Sequence, residues 1–210
     1  MDIEETPKTK ILSLCRGEFL KRGFAHTSVE DLVAELGISK KTFYKCFRGK
    51  EELVAEIVHC VREEISHKIE SIIAGDQRFI EKLHQVMIVL GVQISTVGKD
   101  FQQDLQRVFP RLWVQIEDFR RDTLNRNLTA LLEQGKREGA VRGDANIRLV
   151  LLAYTGAIDR IMRPDVLAYE SFSMQEALRD IMAVFFHGIL TDEASRELVQ
   201  FQQSISTHTQ

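Results

Sequence analysis

Apolar residues recur at three- and four-residue intervals along nearly the whole chain, and no stretch alternates with period two. That pattern predicts helices and no sheet, an all-α fold. Val29, Leu32, Val33 and Leu36 give one short helix a buried face, with Thr27-Ser28 as its N-cap and Glu30 and Asp31 in the first turn, where the helix dipole favours negative charge. Gly37 stops that helix, since only glycine takes a positive φ at this position without strain. Ser39 caps the next, whose inner side carries Phe43 and Phe47, leaving Lys40, Lys41, Thr42, Tyr44 and Lys45 to face outward. A longer helix starts near Lys50, carries Leu53, Ile57, Val61, Ile65 and Ile69 on one stripe, and ends at Ala74-Gly75-Asp76.

Further helices are expected over about 76–96, 101–109 and, opened by Pro110, to about 138. Gly139 and Gly143 mark a loop, Asp144 or Asn146 caps a helix that Pro164 ends, and Ser173 caps a last long helix through Ile181, Phe185 and Ile189. The tail from Leu198 onward is expected to fray.

Charge sharpens the picture at one place. From Leu36 to Lys50 there are five basic residues (Lys40, Lys41, Lys45, Arg48 and Lys50) and no acidic one. A single outward lysine is ordinary solvated surface. Five without an acid, beside a glycine turn and interleaved with Thr and Tyr, are the pattern of a helix-turn-helix whose second helix enters the DNA major groove. The net charge of −3 hides an asymmetry: residues 1–54 hold ten Lys and Arg against nine Asp and Glu, and the remainder eighteen against twenty-two. A protein coating nucleic acid along its length would be basic throughout, so this chain, with its positive charge gathered in one segment, reads as a reading head on a neutral-to-acidic body.

From about Lys10 to Leu53 the chain resembles the N-terminal domain of the TetR family of transcriptional regulators. ILSLCRGEFLKRGF is similar to that family's first helix, with Ile11, Cys15 and Phe19 buried; TSVEDLVAELGIS to its second helix and turn; and KKTFYKCFRGKEEL to its recognition helix running into the fourth. The resemblance implies a three-helix DNA-binding domain over residues 1–49 and a larger helical ligand-binding and dimerisation domain over 50–210. It also implies base-edge contacts from Lys40 and Lys41, with Thr42 at the margin, and DNA-backbone contacts from Thr27, Ser28, Tyr44, Lys45 and Lys50. Two positions depart from the family pattern: Lys41 stands where a small residue is usual, and Cys46 where a His or aromatic commonly touches phosphate.

The second half resembles the family's regulatory domain more weakly, around FPRLWVQIEDFRRDTLNRNLTALLEQGKREGAVRGDAN. Its last two long helices are implied to pair with their symmetry mates in a homodimer, which fits a double-stranded DNA operator built as an inverted repeat. The residues offered for that contact are Leu149, Leu152, Ala153, Gly156 and Ala157, then Met182, Phe185, Phe186 and Ile189, with intrachain core as the alternative for each helix. A small-molecule effector is implied too, apolar or aromatic in character, with His84, Met87, Ile88, Trp113, Ile116, Phe119 and Tyr154 as lining candidates, for which plain hydrophobic core is again the alternative.

Other chemistry finds little support. There is no GxSxG, HExxH, Walker loop or GxGxxG between a strand and a helix, and Glu81-Lys82-Leu83-His84 gives a di-metal half-motif without its second copy. No enzyme, metal or cofactor is therefore expected. Cys15, Cys46 and Cys60 have no disulfide or metal spacing, and a reduced cytoplasmic setting fits them. The apolar run from Leu149 to Ile158 is too short to span a bilayer. The competing readings are regulation by a protein partner or by redox chemistry at Cys46, or an adaptor that keeps the helix-turn-helix without reading DNA.

Overall fold

The structure, a computed structural model, describes residues 6–161, 163, 166, 171, 172 and 174–206, apart from the side chains of 93–95, 124, 174, 175 and 201–206. Among the described residues ten α-helices follow in order: α1 Pro7–Arg22, α2 Val29–Glu35, α3 Lys40–Cys46, α4 Lys50–Ala74, α5 Phe79–Thr96, α6 Lys99–Val108, α7 Pro110–Arg137, α8 Ile147–Ile161, α9 Met174–Ile189 and α10 Asp192–Ser206. Among the described residues the only β pairing is an isolated antiparallel bridge between Val141 and Leu190. The capping signals act where the pattern placed them: Pro110 opens α7, and Asn146 Oδ1 accepts from Leu149 N at 3.1 Å at the start of α8. The expected roles of Pro164 and Ser173 lie outside the described residues.

The chain divides into two compact units, Met1–Glu64 with Ile94–Ile116, and Ile65–Gln93 with Glu117–Gln210. The first holds α1–α3, the first part of α4, the end of α5, α6 and the start of α7. Its centre is aromatic. Phe24 stacks on Phe109 at 5.3 Å between centroids and meets Phe101 edge-on at 5.5 Å, while Phe43 and Phe47 are fully buried beside one another. Burying such side chains stabilises by about 1.5–3 kcal/mol each, so a seven-residue helix such as α3 is held by its packed face and not by its own propensity.

The second unit is centred on Phe79, Leu83, Leu131, Leu132 and Val141, all buried. Gly135 on α7 makes this centre possible, because a Cβ there would lie 2.6 Å from Val141 Cγ2 and 2.8 Å from the Phe79 ring. Helices α8 and α9 pack closely, with Tyr154 edge-on to Phe185 at 5.5 Å. The tail expected to fray is instead α10: Ala194 and Leu198 are buried, and Arg78 pairs with Glu197 across to the start of α5. Two buried anchors four residues apart hold a helix that its polar sequence would not hold alone.

Candidate nucleic-acid interface

Helices α2 and α3 are built by their caps. Ser28 Oγ accepts from Asp31 N at 3.1 Å, and Asp31 Oδ2 accepts from Ser28 N at 2.8 Å, a reciprocal capping box. Ser28 Oγ also donates to Asp31 Oδ2 at 2.6 Å, and this bond, followed by that from Ser28 N, holds the Asp31 carboxyl below the usual range. Gly37 takes a φ of +62°, and Ile38 N donates to Val33 O at 3.0 Å, which turns the chain into α3. Ser39 Oγ then accepts from Thr42 N at 3.0 Å, and its hydroxyl lies 2.9 Å from that of Thr42.

With Phe43 and Phe47 turned inward, Lys40, Lys41, Tyr44 and Lys45 are exposed along α3 and Thr42 is half-buried at its start. Lys40 Nζ is engaged by the carboxylate of Glu30 on α2. This hydrogen bond raises the Lys40 pKa and lowers that of Glu30. Glu30 takes one of the three Lys40 protons and leaves two, whereas Lys41 and Lys45 carry no such pairing.

Lys50 is placed differently from the expectation. Its ammonium donates to Phe24 O at 2.9 Å, Ala25 O at 3.3 Å and Thr27 O at 2.9 Å, and sits over the Phe24 ring at 5.8 Å. Three carbonyls use all three protons of an ammonium, so none remains for a phosphate. The other side of the same loop is held from α6: Asp104 Oδ2 accepts from Phe24 N at 2.6 Å and Ala25 N at 2.7 Å. Burial pushes the Lys50 pKa down, and the attraction of Asp104 partly restores it. Gly23 enters this grip with φ +77°, and a Cβ there would meet Asp104 Oδ2 at 2.5 Å. The loop carrying Thr27 and Ser28 into α2 is thus clamped by a cation on its carbonyls and an anion on its amides. Sequence reading gave Lys50 a DNA-backbone contact and showed neither the role of Asp104 nor the pairing of Glu30 with Lys40, because these partners lie 10 to 80 residues apart in the chain.

The other expected groups fall apart into two sets. Trp113 and Ile116 belong to the first unit; His84, Met87, Ile88, Phe119 and Tyr154 belong to the second. His84 and Tyr154 are buried, Met87 and Phe119 half-buried and Ile88 exposed. Burial pushes the Tyr154 pKa up to about 12 and lowers that of His84. A groove of about 390 Å³ in the second unit is lined by Arg78, Glu138, Thr191 and Glu197 among others, and by none of the candidates. Of the residues offered for pairing between chains, Leu149, Leu152, Ala153 and Gly156 are exposed along α8 and Ala157 is half-buried. On α9, Met182, Phe186 and Ile189 are buried within their own unit and Phe185 is half-buried, while Val184, which the sequence reading passed over, is 71% exposed.

A short capped helix presenting lysines above an aromatic core, joined by a glycine turn to a second capped helix, is a helix-turn-helix, the arrangement found in DNA-binding regulators. Residues 11–57 match the sequence profile of bacterial regulatory proteins of the tetR family. The chain is 28% identical over 174 residues to YvaF, an uncharacterized HTH-type transcriptional regulator of Bacillus subtilis, covering 82% of this chain and 90% of that protein. Its fold is similar to that of SmeT, the repressor of a multidrug efflux pump of Stenotrophomonas maltophilia, at a TM-score of 0.65 and 17% identity over 92% of this chain and 95% of that one. It is also similar to a TetR-family regulator of Agrobacterium tumefaciens, with a TM-score of 0.64 and 18% identity, covering 88% and 98% of the two chains. Residues 11–57 thus match the tetR-family DNA-binding segment, and the relatives and structural neighbours named here are transcriptional regulators. No helix among the described residues is long and apolar enough to cross a membrane.

Proposed function

We propose that this regulator works in the cytoplasm as a homodimeric repressor that reads an inverted-repeat operator with α3 and is released by a small, largely apolar ligand held in the second unit. The observation that carries the DNA-reading part is the exposed row of Lys41, Tyr44 and Lys45, with Lys40 beside Glu30, on a helix fixed by Phe43 and Phe47. Lysines at such positions supply phosphate affinity and reach base edges in the major groove. The repressor role is supported by the likeness to SmeT.

Dimerisation is supported by the face of α8, where Leu149 and Leu152 are 63% and 59% exposed beside Ala153 and Gly156. Small residues let a partner helix approach closely, and the leucines supply buried area. Release is supported by α4, one unbroken helix contributing Lys50–Glu64 to the first unit and continuing into the second. A ligand that binds the operator-incompetent arrangement better shifts the equilibrium away from DNA, with couplings of about 1–3 kcal/mol.

Selection from random duplexes, followed by gel shift, tests this reading. An inverted repeat with half-sites about one helical turn apart, or a multiple of it, is the expected result. Weak, salt-labile binding blind to sequence would instead favour the adaptor.

A further inference from the structure

Three buried polar side-chain atoms among the described residues of the second unit have no hydrogen-bond partner: Ser66 Oγ on α4, and Thr123 Oγ1 and Asn127 Nδ2 on α7. Their residues are only 8%, 5% and 7% exposed. Thr123 and Asn127 lie four residues apart on one side of α7. Side chains bridge α7 to α4 at this level, where Arg126 reaches Glu70 at 3.9 Å. Ser66 is one turn before Glu70, and Thr123 and Asn127 flank Arg126. Ser66, Thr123 and Asn127 thus lie within about one helical turn of the place where α4 and α7 are bridged.

A helical hydroxyl normally has an easy remedy, which is to donate to a carbonyl one turn back. This chain uses it elsewhere: Thr155 Oγ1 donates to Leu151 O at 2.8 Å, and Thr129, on α7 itself, donates to Asn125 O. Ser66 and Thr123 do not. Buried donors left unmade are among the costliest features a fold can keep, so three on adjoining helix segments mark a place built to bind.

We infer that Ser66, Thr123 and Asn127 form the polar end of a ligand site between α4 and α7 that takes an uncharged molecule bearing a carbonyl or hydroxyl group. The amide of Asn127 offers N–H and requires an acceptor, while the two hydroxyls can donate or accept. None of the three carries charge, so an ionised ligand would be desolvated without compensation from them. The inference rests on the proposed ligand-released regulator and names the class of its effector: an apolar body with a neutral hydrogen-bonding head.

The full chain is tested with four ring compounds of similar size: cyclohexanone, cyclohexanol, methylcyclohexane and cyclohexanecarboxylate. The first two should shift the Asn127 side-chain amide signals, and the hydrocarbon and the carboxylate should bind about tenfold more weakly or worse. Equal binding of methylcyclohexane overturns the inference. Ser66→Ala, Thr123→Val and Asn127→Leu should each raise the Tm of the free protein by about 2–4 °C, because they remove an unmet polar group, and should each weaken cyclohexanone about tenfold. A fall in Tm means that ordered water satisfies these groups in a purely structural role, and overturns the site. Operator binding by the free variants should equal wild type. If the wild-type chain binds no operator while the stability and probe results hold, the regulator reading fails and the site stands.

Discussion

Lys50→Met separates a structural brace from a DNA contact. Methionine keeps the apolar stem and removes the ammonium, leaving the carbonyls of Phe24, Ala25 and Thr27 without their shared donor. A hydrogen bond from a charged group contributes about 1.5–3 kcal/mol net, but three bonds from one half-buried donor are not additive, and water can reach part of the loop. A loss of about 2 kcal/mol for the set is the reasonable scale. In a chain of this length that lowers Tm by roughly 4–8 °C, measurable by calorimetry. Operator affinity should fall to a similar degree on all sequences, since the loop sets the start of α2, while the slope of log K against log salt stays unchanged because no phosphate contact is lost. If Lys50 instead served phosphate, the slope would drop by about 0.9 with Tm hardly moved. That second pattern would refute the brace.

Three further outcomes are expected. Lys41→Ala should relax base preference at a defined operator position by about 1–3 kcal/mol, read from binding to a panel of single-base variants; an equal loss on every variant would assign it to phosphate. Gly156→Glu should halve the mass seen by light scattering while leaving the helical circular dichroism intact, because a Cβ at Gly156 meets nothing within 4 Å inside the chain; a dimeric variant would place the interface elsewhere. Burial lowers the His84 pKa below its ordinary 6.5, so between those values the unfolded chain takes up a proton that the folded one resists, and stability declines as pH falls through 6.5. Tm measured from about pH 7.5 to about pH 5.5 should drop more in wild type than in His84→Gln; parallel curves would remove His84 as the cause.

What the sequence made legible was local. Ser28, Gly37, Ser39 and the Phe43–Phe47 spacing specify α2, the turn and α3 within a window of some twenty residues, and each does its work through bonds to near neighbours. Pro110 and Asn146 act in the same way. The carbonyl partners of Lys50 were not legible because a lysine after a basic helix looks the same whether its protons go to phosphate or to carbonyls, and only the fold brings Phe24, Ala25 and Thr27 beneath it. Asp104 was invisible for the same reason. The last helix was missed because its anchors, Ala194 and Leu198, are sparse in a polar segment and gain meaning only from what covers them. Met182, Phe186 and Ile189 show the converse limit: an apolar stripe announces burial without saying whether its own chain or another supplies it.

The grip of Asp104 on the loop also has a temporal side. Helices α1 to α3 leave the ribosome early, but the residues that complete their unit, Ile94–Ile116, follow an intervening stretch that belongs to the other unit. At about 5–20 residues per second, the 40 residues from Ile65 to Asp104 take roughly 2–8 s to synthesise. Through that interval the nascent chain has Lys50 for the carbonyls of Phe24 and Ala25 but nothing yet for their amides. A fragment ending at Glu64 would carry α1–α3 entire and still lack the carboxylate that holds the Phe24 and Ala25 amides, so these three helices cut away alone would lose part of what fixes their own loop.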